Sequence, residues 1–209
     1  MGNIRFKKDD ILHQAVDFLR VGGWKEVSLV DVIGASSFTL WLSGCNLRCP
    51  WCGNASLADG TSGRLVPLDD LTERILDAAP FVDYLHVTGG EPTLQYKPLE
   101  KLFEKVRGHL KLSISTNGTS PHALARLIGY LSHVAIDIKA PLNSPELFAM
   151  STGLESIEAA ARFLDALKAS LSLASSAPFL ELRITLIPGI LDDVDTIRRT
   201  VLEVGDIIK

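Results

Sequence analysis

Apolar residues recur along this chain with two alternating periods. Between residues 9 and 20, Ile11, Leu12, Ala15, Val16, Phe18 and Leu19 fall on one helical stripe, which Gly22-Gly23 closes. Residues 36–43 (SSFTLWLS) are rich in β-branched and aromatic residues and predict a strand. A regular succession follows: helix 68–79, strand 83–88, helix 98–108, strand 111–116, helix 121–131 opened by Pro121, and strand 133–139. The pattern continues with a helix over 155–171, carrying Ile157, Ala161, Leu164, Leu167 and Leu171 on one face. A strand over 179–187, stopped by Pro188-Gly189, and a helix over 192–203 complete it.

Five β-α units in series predict an α/β fold with a parallel sheet and right-handed crossovers. A closed eight-stranded barrel takes about 250 residues, and this chain has 209. An open sheet or partial barrel is therefore expected. Asp206 to Lys209 read as the start of a sixth strand, truncated or missing beyond that point. No linker divides the units, so residues 21–209 form one domain preceded by a helical extension over 1–20. Chemistry in such sheets gathers at the carboxyl ends of the strands. The unusual sequence sits there too, at 44–54, 88–93, 115–119, 137–139 and 187–189.

Composition narrows the function classes. With 46% hydrophobic and 22% charged residues the chain is globular rather than disordered. A net charge of -4 without a basic run argues against a nucleic-acid binder that relies on phosphate attraction. No run of 18 apolar residues predicts a membrane span, and Met1 to Arg20 lacks the apolar core of a secretory signal. A cytoplasmic protein is expected. Its three cysteines, Cys45, Cys49 and Cys52, are too few and too clustered for a disulfide scaffold.

The first predicted strand runs directly into Gly44-Cys45-Asn46-Leu47-Arg48-Cys49-Pro50-Trp51-Cys52-Gly53-Asn54. Three thiolates on one tight loop form a soft trigonal face for an iron–sulfur cluster or zinc. Structural zinc takes four ligands, and only a histidine such as His86 could supply the fourth. An odd count of three suits a cubane cluster with one iron open to a small molecule. Zinc and free buried thiols stand as the alternatives.

This C-x3-C-x-aromatic-C loop after a first strand resembles the radical S-adenosylmethionine superfamily. The wider string, from Gly44 to Asn54, is similar to the activases of glycyl-radical enzymes, such as those serving pyruvate formate-lyase and anaerobic ribonucleotide reductase. Val30-Asp31-Val32-Ile33-Gly34 is similar to their Val-Asp-Gly-Pro-Gly, with Val32 and Ile33 departing from it. The resemblance implies a [4Fe-4S] cluster on Cys45, Cys49 and Cys52 and a partial (β/α)6 barrel.

Further motifs follow in the family's order at successive strand ends. Thr88-Gly89-Gly90-Glu91-Pro92 reads alone as a βα turn whose glycines allow close backbone approach. It resembles the family's Gly-Gly-Glu-Pro segment, which places Gly89, Gly90 and Glu91 at the cofactor's amino group. Ser115-Thr116-Asn117-Gly118 reads alone as an Asn-Gly turn. It resembles Asp-Thr-Asn-Gly, so Thr116 and Asn117 match, whereas Ser115 replaces an acid that helps relatives hold a monovalent cation. Asp137-Ile138-Lys139 puts two opposite charges on one side of a strand. A salt bridge explains them, and the resemblance places them at the cofactor's ribose and carboxylate. Arg183, inside an apolar strand, needs a partner, either Asp137 or a cofactor carboxylate. Trp51 occupies the position that contacts adenine in relatives. Trp41 reads as core or cover, and no role is assigned to the five histidines.

The resemblance implies reductive cleavage of S-adenosylmethionine to a 5′-deoxyadenosyl radical. The expected partners are a glycyl-radical enzyme as protein substrate and a flavodoxin or ferredoxin as low-potential electron donor. One alternative is a radical enzyme acting on a small molecule, such as a 7-carboxy-7-deazaguanine synthase. Another is a non-catalytic zinc- or cluster-binding module.

Overall fold

The computed structural model describes residues 17–208. Its sheet, among those residues, has seven strands in the order β3-β1-β2-β4-β5-β6-β7. They are β1 (Phe18–Val32), β2 (Ala35–Leu42), β3 (Arg64–Pro67), β4 (Tyr84–Gly89), β5 (Lys111–Thr116), β6 (His133–Ile138) and β7 (Leu180–Ile184). From β2 onward the order β2-β4-β5-β6-β7 is parallel throughout. These are the five expected β-α units. The helices are α1 (Ala55–Ala58), α2 (Leu68–Ala78), α3 (Tyr96–Val106), α4 (Pro121–Leu127), α5 (Pro145–Thr152), α6 (Ile157–Ala174) and α7 (Val194–Gly205).

Period-2 alternation gives the parallel strands one apolar face and one polar face. Phe38, Leu40 and Leu42 of β2, Leu85 and Val87 of β4, Leu112 and Ile114 of β5, and Val134 and Ile136 of β6 join one buried cluster with helix residues such as Leu71, Leu102, Phe103 and Leu167. The opposite face carries Thr39, His86, Ser113 and His133 in lateral register, then Ser115, Glu181, Asp137 and Arg183 nearer the carboxyl ends. The helices thus seal one face, and the sheet curls around the other.

Three expectations are corrected. Phe18 to Arg20 begin a 15-residue strand rather than end a helix; residues 9–16 lie outside the described residues. Leu19 and Val21 are buried while Phe18 is exposed. That alternation suits a strand as well as the helical stripe suited a helix, and pairing to β3 and β2 decides between them. Gly22-Gly23 lies within this strand, at a shift in its register with β2. Second, β1 and β3 are antiparallel additions to the parallel set. The hairpin between β1 and β2 turns at Ile33-Gly34, so the Val30–Gly34 motif is its tip. Third, no sixth parallel strand begins at Asp206. The Ile207 and Ile208 amides both donate to the Val204 carbonyl, winding the chain onto the end of α7, and their side chains pack on the core.

The core is expected to be sensitive to truncation. Phe38 is fully buried in the strand that leads into the cysteine loop. Phe38→Ala should cost about 3–5 kcal/mol, read as a lowered midpoint in chemical denaturation with an unchanged m-value.

Candidate active site

The cysteine loop leaves β2 and is fixed by backbone contacts on both sides. The Gly44 and Cys45 amides donate to the Leu57 and Ala58 carbonyls of α1 at 2.7 and 2.9 Å. On the other side the Gly90 amide donates to the Leu42 carbonyl and the Glu91 amide to the Gly44 carbonyl, both at 2.8 Å. Gly90 lies so close that a Cβ there would overlap the Gly44 carbonyl. The Gly89-Gly90 pair therefore serves backbone-to-backbone approach, as its sequence suggested.

A third clamp comes from α5, a helix the sequence pattern did not disclose. The Arg48 amide donates to the Thr152 carbonyl at 2.9 Å, and the Trp51 indole Nε1 donates to the Ser151 carbonyl at 2.7 Å. Gly153 follows with φ +70°, and a side chain there would strike the Arg48 backbone. The last carbonyls of a helix lack intrahelical donors, and this loop supplies them.

One cavity of about 180 Å³ lies at the carboxyl ends of the strands. It gathers Cys45, Cys49, Trp51 and Cys52 from the loop, Gly89 and Gly90 from β4, Thr116 and Asn117 from β5, and Asp137, Lys139 and Arg183 from β6 and β7. Eleven of the twelve residues singled out from the sequence thus meet at one place. Glu91 is the exception. Its carboxylate is fully buried and accepts from the Thr93 amide and hydroxyl, the Thr116 hydroxyl and the Asn117 amide at 2.6–3.0 Å. Burial pushes its pKa up and these four donors oppose the rise. Glu91 braces the end of β4 against the end of β5; its side chain does not line the cavity.

Burial also raises the pKa values of the Cys45 and Cys49 thiols, that of Cys49 to about 11, against the pull of Lys139. Among the described residues no three His, Cys, Asp or Glu side chains converge tightly enough to hold a single metal ion. The thiols share a cavity without sharing a centre. A cuboidal cluster separates its iron atoms and asks for one thiolate at each of three corners, which three soft donors on one loop fit. The zinc alternative loses its proposed fourth ligand, because His86 points into the sheet interior and bonds Ser113 and Ser115.

Around the cavity, Lys139 Nζ bonds Asp137 Oδ2 at 3.0 Å and lies 4.8 Å from the centre of the Trp51 ring, a cation–π contact. Asn117 Nδ2 donates to Asn46 Oδ1 at 2.9 Å, and Asn46 Nδ2 donates to Thr119 Oγ1 at 2.7 Å. Asn46 and Thr119 thus tie the loop to the end of β5, a role that spacing alone does not reveal. Arg183 pairs with Glu181 rather than with Asp137. Its Nε and Nη2 donate to Glu181 at 2.6 and 3.1 Å, Nη1 donates to Ser115 Oγ at 3.0 Å, and Nη2 also donates to the Asp31 carbonyl at 3.1 Å. Arg183 therefore links β7 back to the hairpin strand β1.

Two histidines that had no assigned role lie beneath Arg183. His86 and His133 flank Ser113 at 2.7 and 2.8 Å, and His133 Nε2 meets Glu181 Oε2 at 3.0 Å. Burial drives the His86 pKa down to about 4 and lowers that of His133 against the pull of Glu181. The strand alternation that places Ser113 beside Ser115 and Glu181 beside Arg183 on one face was the available signal.

Glu91→Ala should destabilise the fold by about 1–3 kcal/mol, because it strands four buried donors. Denaturant melts check this. His86 makes stability depend on acid in a defined window. Its folded pKa lies below the unfolded value near 6.5, so its contribution is whole above pH 6.5 and is lost as pH falls toward 4. That limb carries at most about 1.4 kcal/mol per pH unit per group. Melts at pH 7 and pH 4.5 should differ less for His86→Asn than for the parent.

Residues 40–201 match the family model described as the radical SAM superfamily. A Methanocaldococcus jannaschii protein named as a candidate glycyl-radical enzyme activating enzyme is 29% identical over 192 residues, covering 87% of this chain and 75% of that one. The 7-carboxy-7-deazaguanine synthase of Hyperthermus butylicus is 36% identical over 89 residues, 42% of this chain and 37% of the synthase. Among solved structures, TYW1 with a lysine-pyruvate adduct bound superposes with a TM-score of 0.55 at 15% identity, covering 78% of this chain and 61% of that one, a likeness of fold. Members of the superfamily use a [4Fe-4S] cluster and S-adenosylmethionine, groups that a three-thiol loop beside a polar, charged cavity suits. By the family match, the sheet and this loop, the chain belongs to the radical SAM superfamily.

Proposed function

We propose that this chain is a glycyl-radical-enzyme activase. The observation that carries the reading is the extent of the likeness: the Methanocaldococcus jannaschii candidate activase aligns along 87% of this chain, whereas 7-carboxy-7-deazaguanine synthases align along 42% to 54% of it. The wording of the loop from Gly44 to Asn54 supports it, being similar to that of the activases.

In this reading Cys45, Cys49 and Cys52 hold the cluster as thiolates. The bound cluster and S-adenosylmethionine together supply reductive cleavage to a 5′-deoxyadenosyl radical. The protein binds and orients. Arg183 and Lys139 offer positive donors to the cofactor's carboxylate, and Asp137 offers an acceptor to its ribose. Thr116 and Asn117 shape the wall beside it, and Trp51, held by Lys139 and the Ser151 carbonyl, offers a flat face for adenine. Gly89 and Gly90 present backbone at the cofactor's amino group, with Glu91 fixing the turn from behind. The partners are a glycyl-radical enzyme and a low-potential donor such as flavodoxin or ferredoxin. The proposed location is cytoplasmic; among the described residues no helix is long and apolar enough to cross a membrane.

Protein reconstituted without oxygen should form 5′-deoxyadenosine from S-adenosylmethionine and dithionite. With its partner it should leave an organic radical on a glycine, read by electron paramagnetic resonance. 5′-Deoxyadenosine without a partner radical, together with formation of 7-carboxy-7-deazaguanine, would transfer the chain to the synthase class. Cys49→Ala should lose the broad thiolate-to-iron absorption. Asp137→Asn should weaken S-adenosylmethionine binding by about 1.5–3 kcal/mol while keeping that absorption.

A further inference from the structure

Six side chains on the sheet's inner face close into a ring of hydrogen bonds. Going round, they are Arg183, Ser115, His86, Ser113, His133 and Glu181, and Glu181 returns to Arg183. The successive contacts measure 3.0, 3.2, 2.7, 2.8, 3.0 and 2.6 Å. His86, Ser113 and His133 have essentially no solvent access, so each polar atom there must be satisfied by a neighbour.

The direction of the ring follows from donor chemistry once both imidazoles are neutral, the state their burial favours. Arginine only donates, and an ionised carboxylate only accepts. Arg183 Nη1–H therefore donates to Ser115 Oγ, and Glu181 Oε2 accepts from His133 Nε2–H. With Nε2 protonated, neutral His133 presents Nδ1 as an acceptor, which the Ser113 hydroxyl fills. Ser113 Oγ has spent its one proton and so accepts from His86 Nδ1–H. His86 Nε2 is left as an acceptor for the Ser115 hydroxyl, whose oxygen receives Arg183. With both imidazoles neutral, every donor in the ring meets one acceptor, and no other arrangement satisfies all six contacts while both ends keep their charge.

We propose that His133 and Glu181 are positioning residues for Arg183, which they hold through this one-way ring running by way of Ser113, His86 and Ser115. The ring, with the Asp31 carbonyl, engages four of the five guanidinium N–H bonds: Nε on Glu181, Nη2 on Glu181 and Asp31, and one on Nη1 at Ser115. The remaining Nη1–H serves the cavity that Arg183 lines. Its ligand is an oxygen acceptor of the carboxylate class. Ser115 matters here because an acid at its position would compete with that ligand for the guanidinium charge, and a hydroxyl does not. The proposal rests on the reading that Arg183 meets the carboxylate of S-adenosylmethionine.

Two measurements test it separately. Nitrogen-15 NMR of the histidine rings, in the full chain at pH 7.5, should find His86 neutral and protonated on Nδ1, and His133 neutral and protonated on Nε2. The opposite tautomers, or a charged ring, would overturn the ring without any variant. Glu181→Gln adds a directional check. Its amide oxygen can keep the Arg183 Nε contact while its NH2 group donates to His133, at the loss of the Nη2 contact, which should reverse both tautomers, to Nδ1–H on His133 and Nε2–H on His86. A simple loss of packing would not move them in that paired way.

Calorimetric titration with S-adenosylmethionine on the anaerobically reconstituted protein gives the second readout. Arg183→Gln and Glu181→Gln should each weaken binding roughly tenfold to a hundredfold. If Arg183→Gln weakens binding and Glu181→Gln does not, Glu181 is not a positioning residue. If neither weakens it, the placement of Arg183 at the carboxylate fails, and the proposal with it.

Discussion

The Gly90 backbone passes against the Gly44 carbonyl at a separation that no side chain can enter, and the adjoining Glu91 amide bonds that carbonyl. This contact joins the end of β2 to the end of β4 and fixes where the cysteine loop starts. Glu91 then extends the joint sideways, since its buried carboxylate holds Thr116 and the Asn117 amide at the end of β5. Asn117 closes the circuit by gripping Asn46 within the loop itself. The placement of the thiols relative to the rest of the cavity thus depends on one close approach of two glycines and one buried carboxylate.

The sheet contributes a second level of order. Its outer face packs on helices and its inner face is polar, an unusual balance for parallel strands, which are commonly apolar on both sides. Because those polar groups are buried, they carry a penalty unless each finds a partner. The six-membered ring of side chains removes that penalty and at the same time leaves Arg183 with a defined orientation. Satisfying the interior and arranging the cavity are therefore the same structural act.

The hairpin of β1 and β2 and the helix α5 do comparable work from outside the parallel set. Asp31 at the hairpin tip gives its carbonyl to Arg183 and its carboxylate to the Thr39 hydroxyl. The last turn of α5 gives carbonyls to Arg48 and Trp51. Both reach the site through backbone groups, which leave no mark on residue identity.

The sequence alone determined the α/β class, the five parallel units, the cysteine loop and eleven of the cavity's residues. The reason is that these features are local: hydrophobic period, turn-forming glycines, and short spacings between residues that a single loop must present together. Tertiary structure decided the rest. Phe18 to Arg20 joined a strand because pairing with β2 and β3 outweighed a helical stripe that fitted equally well. Glu91 turned inward because four donors, two of them from another strand, surround it. Arg183 chose Glu181, two residues away on the same face, over Asp137 beside it in register, because His133 anchors Glu181 from a third position. Which of several acceptable partners a charged side chain takes depends on residues far apart in the chain, and only folding brings those together.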